Sequence, residues 1–321
     1  MKRPERYLAV AAIAFTASAV CVSGQNVPAI EPDGTYMYVQ KDTSDLFLDI
    51  YYPADGSEEY YNGKEKPAVL FVFGGGFISG RRDEPYLLPW YRELTERGYK
   101  VIAIDYRLGL KGAEAVGIAQ VDQLDKAIHM AVEDLFSATS FITENADALG
   151  ISTDNIVLCG SSAGAITILQ AEYELCNETG DSSMLPDGFR YAGLMAFSGG
   201  ILSRQGKLKF NRQTSPVLML HGTDDKLVNY SQIRFFNLGF FGSDKIADRL
   251  SGYGCRHWIL RYPGHGHEIA NIMGMTVDIQ DAFIKSIMDG SMANVDATVS
   301  DPAVPSGKGS SQSRKELYGS N

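Results

Sequence analysis

Ser162 stands at the centre of Gly160-Ser161-Ser162-Ala163-Gly164, in the surroundings a nucleophilic serine needs. The apolar run Asn155-Ile156-Val157-Leu158-Cys159 precedes it, and a helix-forming stretch from Ala165 to Glu174 follows. This context predicts a strand turning sharply into a helix, with small residues flanking the serine because the turn is tight. The turn strains the serine backbone and holds its hydroxyl out at the top of a sheet. A hydroxyl is a poor nucleophile until an imidazole accepts its proton, and that imidazole needs a carboxylate to orient it. In a chain with 33 glycines the five-residue pattern alone says little, so its partners decide.

The chain has five histidines, so the search for the base is short. His129 falls inside a predicted helix before the serine, and His257 begins a predicted strand. His221 follows a strand directly but precedes the candidate acids. His265 and His267 lie in Pro263-Gly264-His265-Gly266-His267-Glu268, just past the last strand, where a base can reach over the carboxyl edge of a sheet. The acid belongs after the preceding strand, where His221-Gly222-Thr223-Asp224-Asp225 offers two adjacent carboxylates. Neighbouring loop residues point different ways, so one of the two serves and the other is a turn residue. Donors for an oxyanion come from Gly74-Gly75-Gly76-Phe77, where backbone N–H groups can approach a substrate oxygen closely, and from the N–H of Ala163.

These residues need a frame that gathers them on one rim. Eight apolar or alternating runs predict strands: Tyr36–Gln40, Leu46–Tyr52, Ala68–Phe73, Lys100–Asp105, Asn155–Cys159, Gly193–Phe197, Pro216–Leu220 and His257–Tyr262. Several are continuously apolar, as strands buried on both faces of a mainly parallel sheet must be. Helical patterns occupy Tyr86–Arg97, Val121–Leu149, Ala163–Cys176, Ser231–Phe241 and Ile269–Met288. Strand–helix alternation of this kind predicts a doubly wound α/β architecture with an eight-stranded sheet. The glycines then follow the third strand, the serine the fifth, the acid the seventh and the histidine the eighth. Between Gly199 and Ser215 the chain is short, polar and basic, which leaves no room there for a bulky apolar lid.

The 321 residues carry a formal charge of −10, which argues against nucleic acid or an anionic membrane surface as the main partner. Residues 1–24 have the form of an export leader: Lys2, Arg3 and Arg6, then an apolar stretch from Leu8 to Val20 too short to span a bilayer, then small residues. Its removal implies a secreted or periplasmic protein, with Cys21 raising a lipid-anchored alternative. Three cysteines remain, Cys159, Cys176 and Cys255, in no metal or disulfide spacing, so no metal site is expected. Residues 25–290 form the expected catalytic domain. The stretch 291–321, rich in Ser, Gly, Asp and Pro, is expected to be a disordered tail.

Five motifs in order resemble the α/β-hydrolase superfamily, and within it esterases akin to hormone-sensitive lipase and bacterial feruloyl or acetyl esterases. They are Phe73-Gly74-Gly75-Gly76-Phe77, Asp105-Tyr106-Arg107-Leu108, Asn155 through Gly164, His221 through Asp225, and Gly264 through Glu268. The resemblance implies the α/β-hydrolase fold, places the acid on Asp225 and the base on His267, and assigns oxyanion donors to Gly75, Gly76 and Ala163. It further implies a serine esterase without metal or organic cofactor, acting on small-molecule or polysaccharide-linked esters with short or aromatic acyl groups. A peptidase of the prolyl-oligopeptidase type and a non-catalytic binding protein of the same fold are the alternatives. One departure stands out: Phe73 replaces the histidine that supports the oxyanion loop in members of that type, so packing must hold the loop instead.

Overall fold

Apolar or alternating runs form strands where a sheet gives them neighbours, and all eight runs do so in one sheet. The computed structural model describes residues 30–41, 44–112 and 121–304; the expected leader and residues 305–321 lie outside the described residues. In chain order the strands are β1 (Gly34–Lys41), β2 (Ser44–Tyr51), a minor hairpin of β3 (Tyr60–Tyr61) and β4 (Lys64–Glu65), β5 (Ala68–Val72), β6 (Lys100–Ile104), β7 (Ile156–Ser161), β8 (Gly193–Phe197), β9 (Gly200–Ser203), β10 (Val217–Gly222), β11 (Gln232–Phe235), β12 (Leu238–Gly242), β13 (His257–Tyr262) and β14 (Val295–Thr298). The helices are α1 (Leu88–Glu96), α2 (Val121–Glu144), α3 (Ala146–Leu149), α4 (Ala163–Asn177), α5 (Ser243–Gly252) and α6 (Val277–Met288).

The main sheet has the order β1-β2-β6-β5-β7-β8-β10-β13-β14. The first two strands run antiparallel, and all pairings from β6 to β14 are parallel. Every residue of β5, β7, β8 and β10 is buried. Parallel strands advance by right-handed crossovers, which place the helices on both faces. Accordingly α1 packs with α6, and α2 with α4.

Four expectations need correction. The sheet has nine strands rather than eight, because β14 extends it beyond β13 in parallel register. Residues 291–304 are therefore ordered rather than a loose tail: Arg261 clamps Asp296 and Val304 is buried, contacts that the polar composition conceals. Residues 231–241 form no helix but the hairpin β11–β12, which pairs with β9 in a separate three-stranded sheet. The closely spaced aromatics Phe235, Phe236, Phe240 and Phe241 favour the extended backbone, and Gly239 disfavours a helix. Phe236 takes the turn at φ 52°. The helix expected to open at Ile269 begins only with α6 at Val277, after two short 3₁₀ turns. The three cysteines in the described residues are buried and free.

Where α2 meets α4, His129 Nδ1 lies 2.9 Å from the buried Glu174 carboxylate, an ion pair rather than a well-aligned hydrogen bond, and its Nε2 is 3.5 Å from Asp125. Contact with Asp125, then with Glu174, pushes His129 up to about 10 against the opposing effect of burial. A histidine raised in the folded state contributes stability fully below its unfolded value of 6.5 and loses it as pH rises through the folded value. His129→Gln should therefore lower the melting temperature most near pH 6, with the difference from the wild type shrinking towards pH 10. An equal loss at both pH values would show that the charge is not what matters.

Candidate active site

Ser162 sits between β7 and α4 at φ 51°, ψ −114°, a left-handed conformation that costs about 1–3 kcal/mol for a residue with a side chain. The surrounding structure enforces it. A Cβ on Gly164 would lie 1.9 Å from the carbonyl oxygen of Val72, and one on Gly160 would lie 2.5 Å from that of Gly164. Helix and strands approach at backbone distance, and the chain between them must kink. The Ser162 N–H donates to Phe197 O at 2.8 Å, fixing the kink against the next strand, and Ser161 Oγ donates to Ala270 O at 2.7 Å.

The acid and base loops are stapled together. Thr223 N–H donates to Tyr262 O and Asp224 N–H to His265 O, at 3.0 and 2.9 Å. A Cβ on Gly222 would come within 2.3 Å of Gly266 O, so the two loops meet at backbone distance there. The result is a continuous line: Ser162 Oγ to His267 Nε2 is 2.8 Å, and His267 Nδ1 to Asp225 Oδ2 is 2.8 Å. Asp225 is the member of the acidic pair that enters the line, whereas Asp224 is exposed and accepts from the Thr223 hydroxyl. His267 is the histidine that enters it; His265 contacts Glu268, which also accepts from Gly266 N–H and shapes the turn.

Asp225 is fully buried as a side chain. Its Oδ1 accepts the N–H groups of Leu227 and Val228 at 2.9 and 3.0 Å, and its Oδ2 has a second histidine, His221, at 3.2 Å. Burial alone raises a carboxyl, but hydrogen bonds from His221 and His267 outweigh it and hold Asp225 well below the usual carboxylate range. His221 was set aside on sequence because it precedes the acid. It is nevertheless wholly buried, with Nε2 also 3.0 Å from Val228 O and Nδ1 2.8 Å from Ser243 Oγ. Two acceptors at Nε2 place the hydrogen there, leaving Nδ1 to accept from the Ser243 hydroxyl. The signal in the sequence was a histidine at a buried strand end four residues before an acid.

Gly76 and Ala163 line the cavity beside Ser162 and His267, where their N–H groups can meet an oxyanion. Gly75 is absent from that lining; its φ of 123° makes the turn, and its carbonyl accepts from Ile78 and Ser79. The Phe73 ring stacks on Tyr106 with centroids 4.4 Å apart, and the Tyr106 hydroxyl donates to Phe73 O at 3.0 Å. Arg82 bridges Asp49 and Asp105 at 2.7 and 2.5 Å and so serves the scaffold. Arg107 pairs with the fully buried Asp134, a scaffold role. The cavity holds about 560 Å³ and is mainly apolar, walled by side chains such as Ile78, Leu110, Ile166 and Phe240. The hairpin expected to be a helix closes one side of it. Among the described residues no cluster suits a metal ion.

A mainly parallel sheet with a strained serine turn and with acid and histidine loops on one rim defines the α/β-hydrolase fold, and this chain has that fold. A family model described as BD-FAE matches residues 48–177. The chain is similar to the probable isoprenylcysteine alpha-carbonyl methylesterase of Oryza sativa subsp. japonica, 26% identical over 258 residues covering 68% of this chain and 54% of that protein. It is also similar to the juvenile hormone esterase of Tribolium castaneum, 26% identical over 121 residues, 37% of this chain and 18% of that one. The chain thus spans about half or less of these relatives. Among solved structures, apo esterase 2 of Thermogutta terrifontis aligns with a TM-score of 0.57 at 21% identity, covering 83% of this chain and 98% of that one.

The close approach at the serine turn is testable. Gly164→Ala should destabilise the protein by about 3 kcal/mol in chemical denaturation, since α4 must move off β5. Gly252→Ala, where a Cβ meets nothing within 4 Å, should be neutral or slightly stabilising.

Proposed function

We propose that the protein is a serine carboxylic-ester hydrolase. The observation that carries this is the unbroken line from Ser162 Oγ through His267 to the buried Asp225, opening into an apolar cavity. Ser162 Oγ attacks the ester carbonyl carbon while its proton passes to His267 Nε2. The oxyanion is met by the N–H groups of Gly76 and Ala163, with Gly75 holding the loop in place. Collapse of the tetrahedral intermediate releases the alcohol, which takes the proton from His267. Water then attacks the acyl-enzyme by the same route and frees the acid. Asp225 keeps Nδ1–H of His267 hydrogen-bonded, so Nε2 is the lone-pair nitrogen facing the serine, and it stabilises the imidazolium that forms. The chemistry needs no metal or organic cofactor.

The substrates we propose are small-molecule or polysaccharide-linked esters with short or aromatic acyl groups, which suits a cavity of this size and polarity. Residues 1–24 are proposed to direct secretion. No helix of the described residues is long and apolar enough to cross a membrane.

A fluorophosphonate probe should label the wild type at Ser162, and Ser162→Ala should abolish labelling and p-nitrophenyl acetate hydrolysis. An unlabelled wild type overturns the proposal, and turnover of aminoacyl-prolyl amides in preference to esters assigns the site to a peptidase instead. His221 should act as a positioning residue. His221→Phe keeps the ring and removes the N–H that supports Asp225, so kcat/KM should fall roughly 10-fold to 100-fold. The fall should appear in kcat with KM little changed and with the fraction labelled by the fluorophosphonate probe at completion as in the wild type. A purely structural role would lower that labelled fraction instead.

A further inference from the structure

Charge is distributed unevenly around the cavity. The chain carries 39 acidic against 29 basic side chains, yet among the described residues no Asp or Glu lines the space in front of Ser162. Among the same residues two cations line it, Lys226 and Arg234. Both are exposed, and neither has an ion-pair or hydrogen-bond partner among the described residues, whereas Arg82, Arg107, Arg204 and Arg261 are all paired with carboxylates. Lys226 comes directly after Asp225, and Arg234 lies in β11 between Ile233 and Phe235, whose side chains are themselves 55% and 69% exposed while lining the same cavity. Apolar wall and unpartnered positive charge thus meet at one rim.

We infer that the esters taken by this site carry an anionic group at the far end of the apolar portion that fills the cavity. The inference rests on the ester-hydrolase reading above and sharpens its substrate class. The apolar portion lies along Ile233 and Phe235, burying surface that water otherwise covers. The anion stops at the rim, still partly hydrated, and meets Lys226 and Arg234. In a protein of formal charge −10 the long-range field opposes an anion, so the attraction is local and sensitive to salt. A carboxylate and a phosphate share this chemistry. The rim recognises charge and leaves the choice between them to reach.

The test compares p-nitrophenyl octanoate with mono-p-nitrophenyl octanedioate, whose acyl chains have equal length and differ by a terminal carboxylate; p-nitrophenyl esters ending in a phosphate monoester form a second arm. At low ionic strength kcat/KM should favour the anionic ester by roughly fivefold to tenfold, the sum of two exposed charge contacts. The preference should fade as salt rises from about 0.01 M to about 1 M, which shortens the screening length from about 30 Å to about 3 Å. Lys226→Gln/Arg234→Gln should bring the ratio of the two rates towards one, and Lys226→Glu/Arg234→Glu should reverse it. Arg249→Gln, on α5 away from the lining, should leave the ratio as in the wild type. A wild type that favours the neutral octanoate, or a preference that survives either double variant or high salt, overturns the inference while leaving the hydrolase reading standing. Absence of p-nitrophenyl acetate turnover overturns both.

Discussion

A carboxylate sealed from water is unfavourable unless its lone pairs are all engaged, and the site is organised around meeting that demand at Asp225. Two backbone N–H groups from the turn after β10 satisfy one oxygen. Two histidines approach the other, His267 from the loop after β13 and His221 from the end of β10 itself. The acid loop can hold this arrangement only because the neighbouring loop is bonded to it through Thr223, Asp224 and the Gly222–Gly266 approach. Displacing either loop would strand a buried charge. That penalty makes the geometry at His267, and therefore at Ser162, stiff without any covalent tie.

The parts of the molecule that were legible in the sequence are those where one local rule acts alone. The continuously apolar runs of β5, β7, β8 and β10 read as strands because a parallel sheet leaves them no polar face. The serine turn was visible because Gly160 and Gly164 are demanded by contacts of backbone with backbone. Asp225 and His267, out of two pairs of neighbours, were separated only by motif resemblance. The structure separates them by direction: Asp225 points inward to His267 while Asp224 stays in solvent, and His265 turns to Glu268. His221 is hidden in the sequence because it precedes the acid in chain order. Its place depends on Ser243 and Val228, which are brought to it only by the packing of α5 and the turn after β10.

Misread segments share a different cause. Residues 231–241 contain enough apolar side chains at three- and four-residue spacing to suggest a helix. The hairpin wins because β12 finds a partner in β9, forty residues earlier, and a strand in a sheet is stabilised by neighbours that periodicity cannot see. β14 was hidden for the same reason. Val295-Asp296-Ala297-Thr298 is unremarkable alone and becomes a strand because the edge of β13 offers a parallel register and Arg261 offers Asp296 a bidentate partner. Both errors concern elements defined by what they add to.

Phe73 shows how one departure from a family pattern changes the physics of a site without removing it. A histidine there supports the oxyanion loop through a polar group whose hydrogen bonding changes with protonation. Here the same loop rests on aromatic contact: Phe73 stacked on Tyr106, Phe77 edge-on to the same ring, and the Tyr106 hydroxyl returning to Phe73 O. Gly80 passes so close to the Phe73 ring that a Cβ would fall 2.7 Å from it, which leaves the ring no second position. Support of this kind scales with buried area and is indifferent to pH across the range where imidazoles titrate. The Gly74–Phe77 loop is therefore held by aromatic packing and neutral hydrogen bonds, with no imidazole in its support.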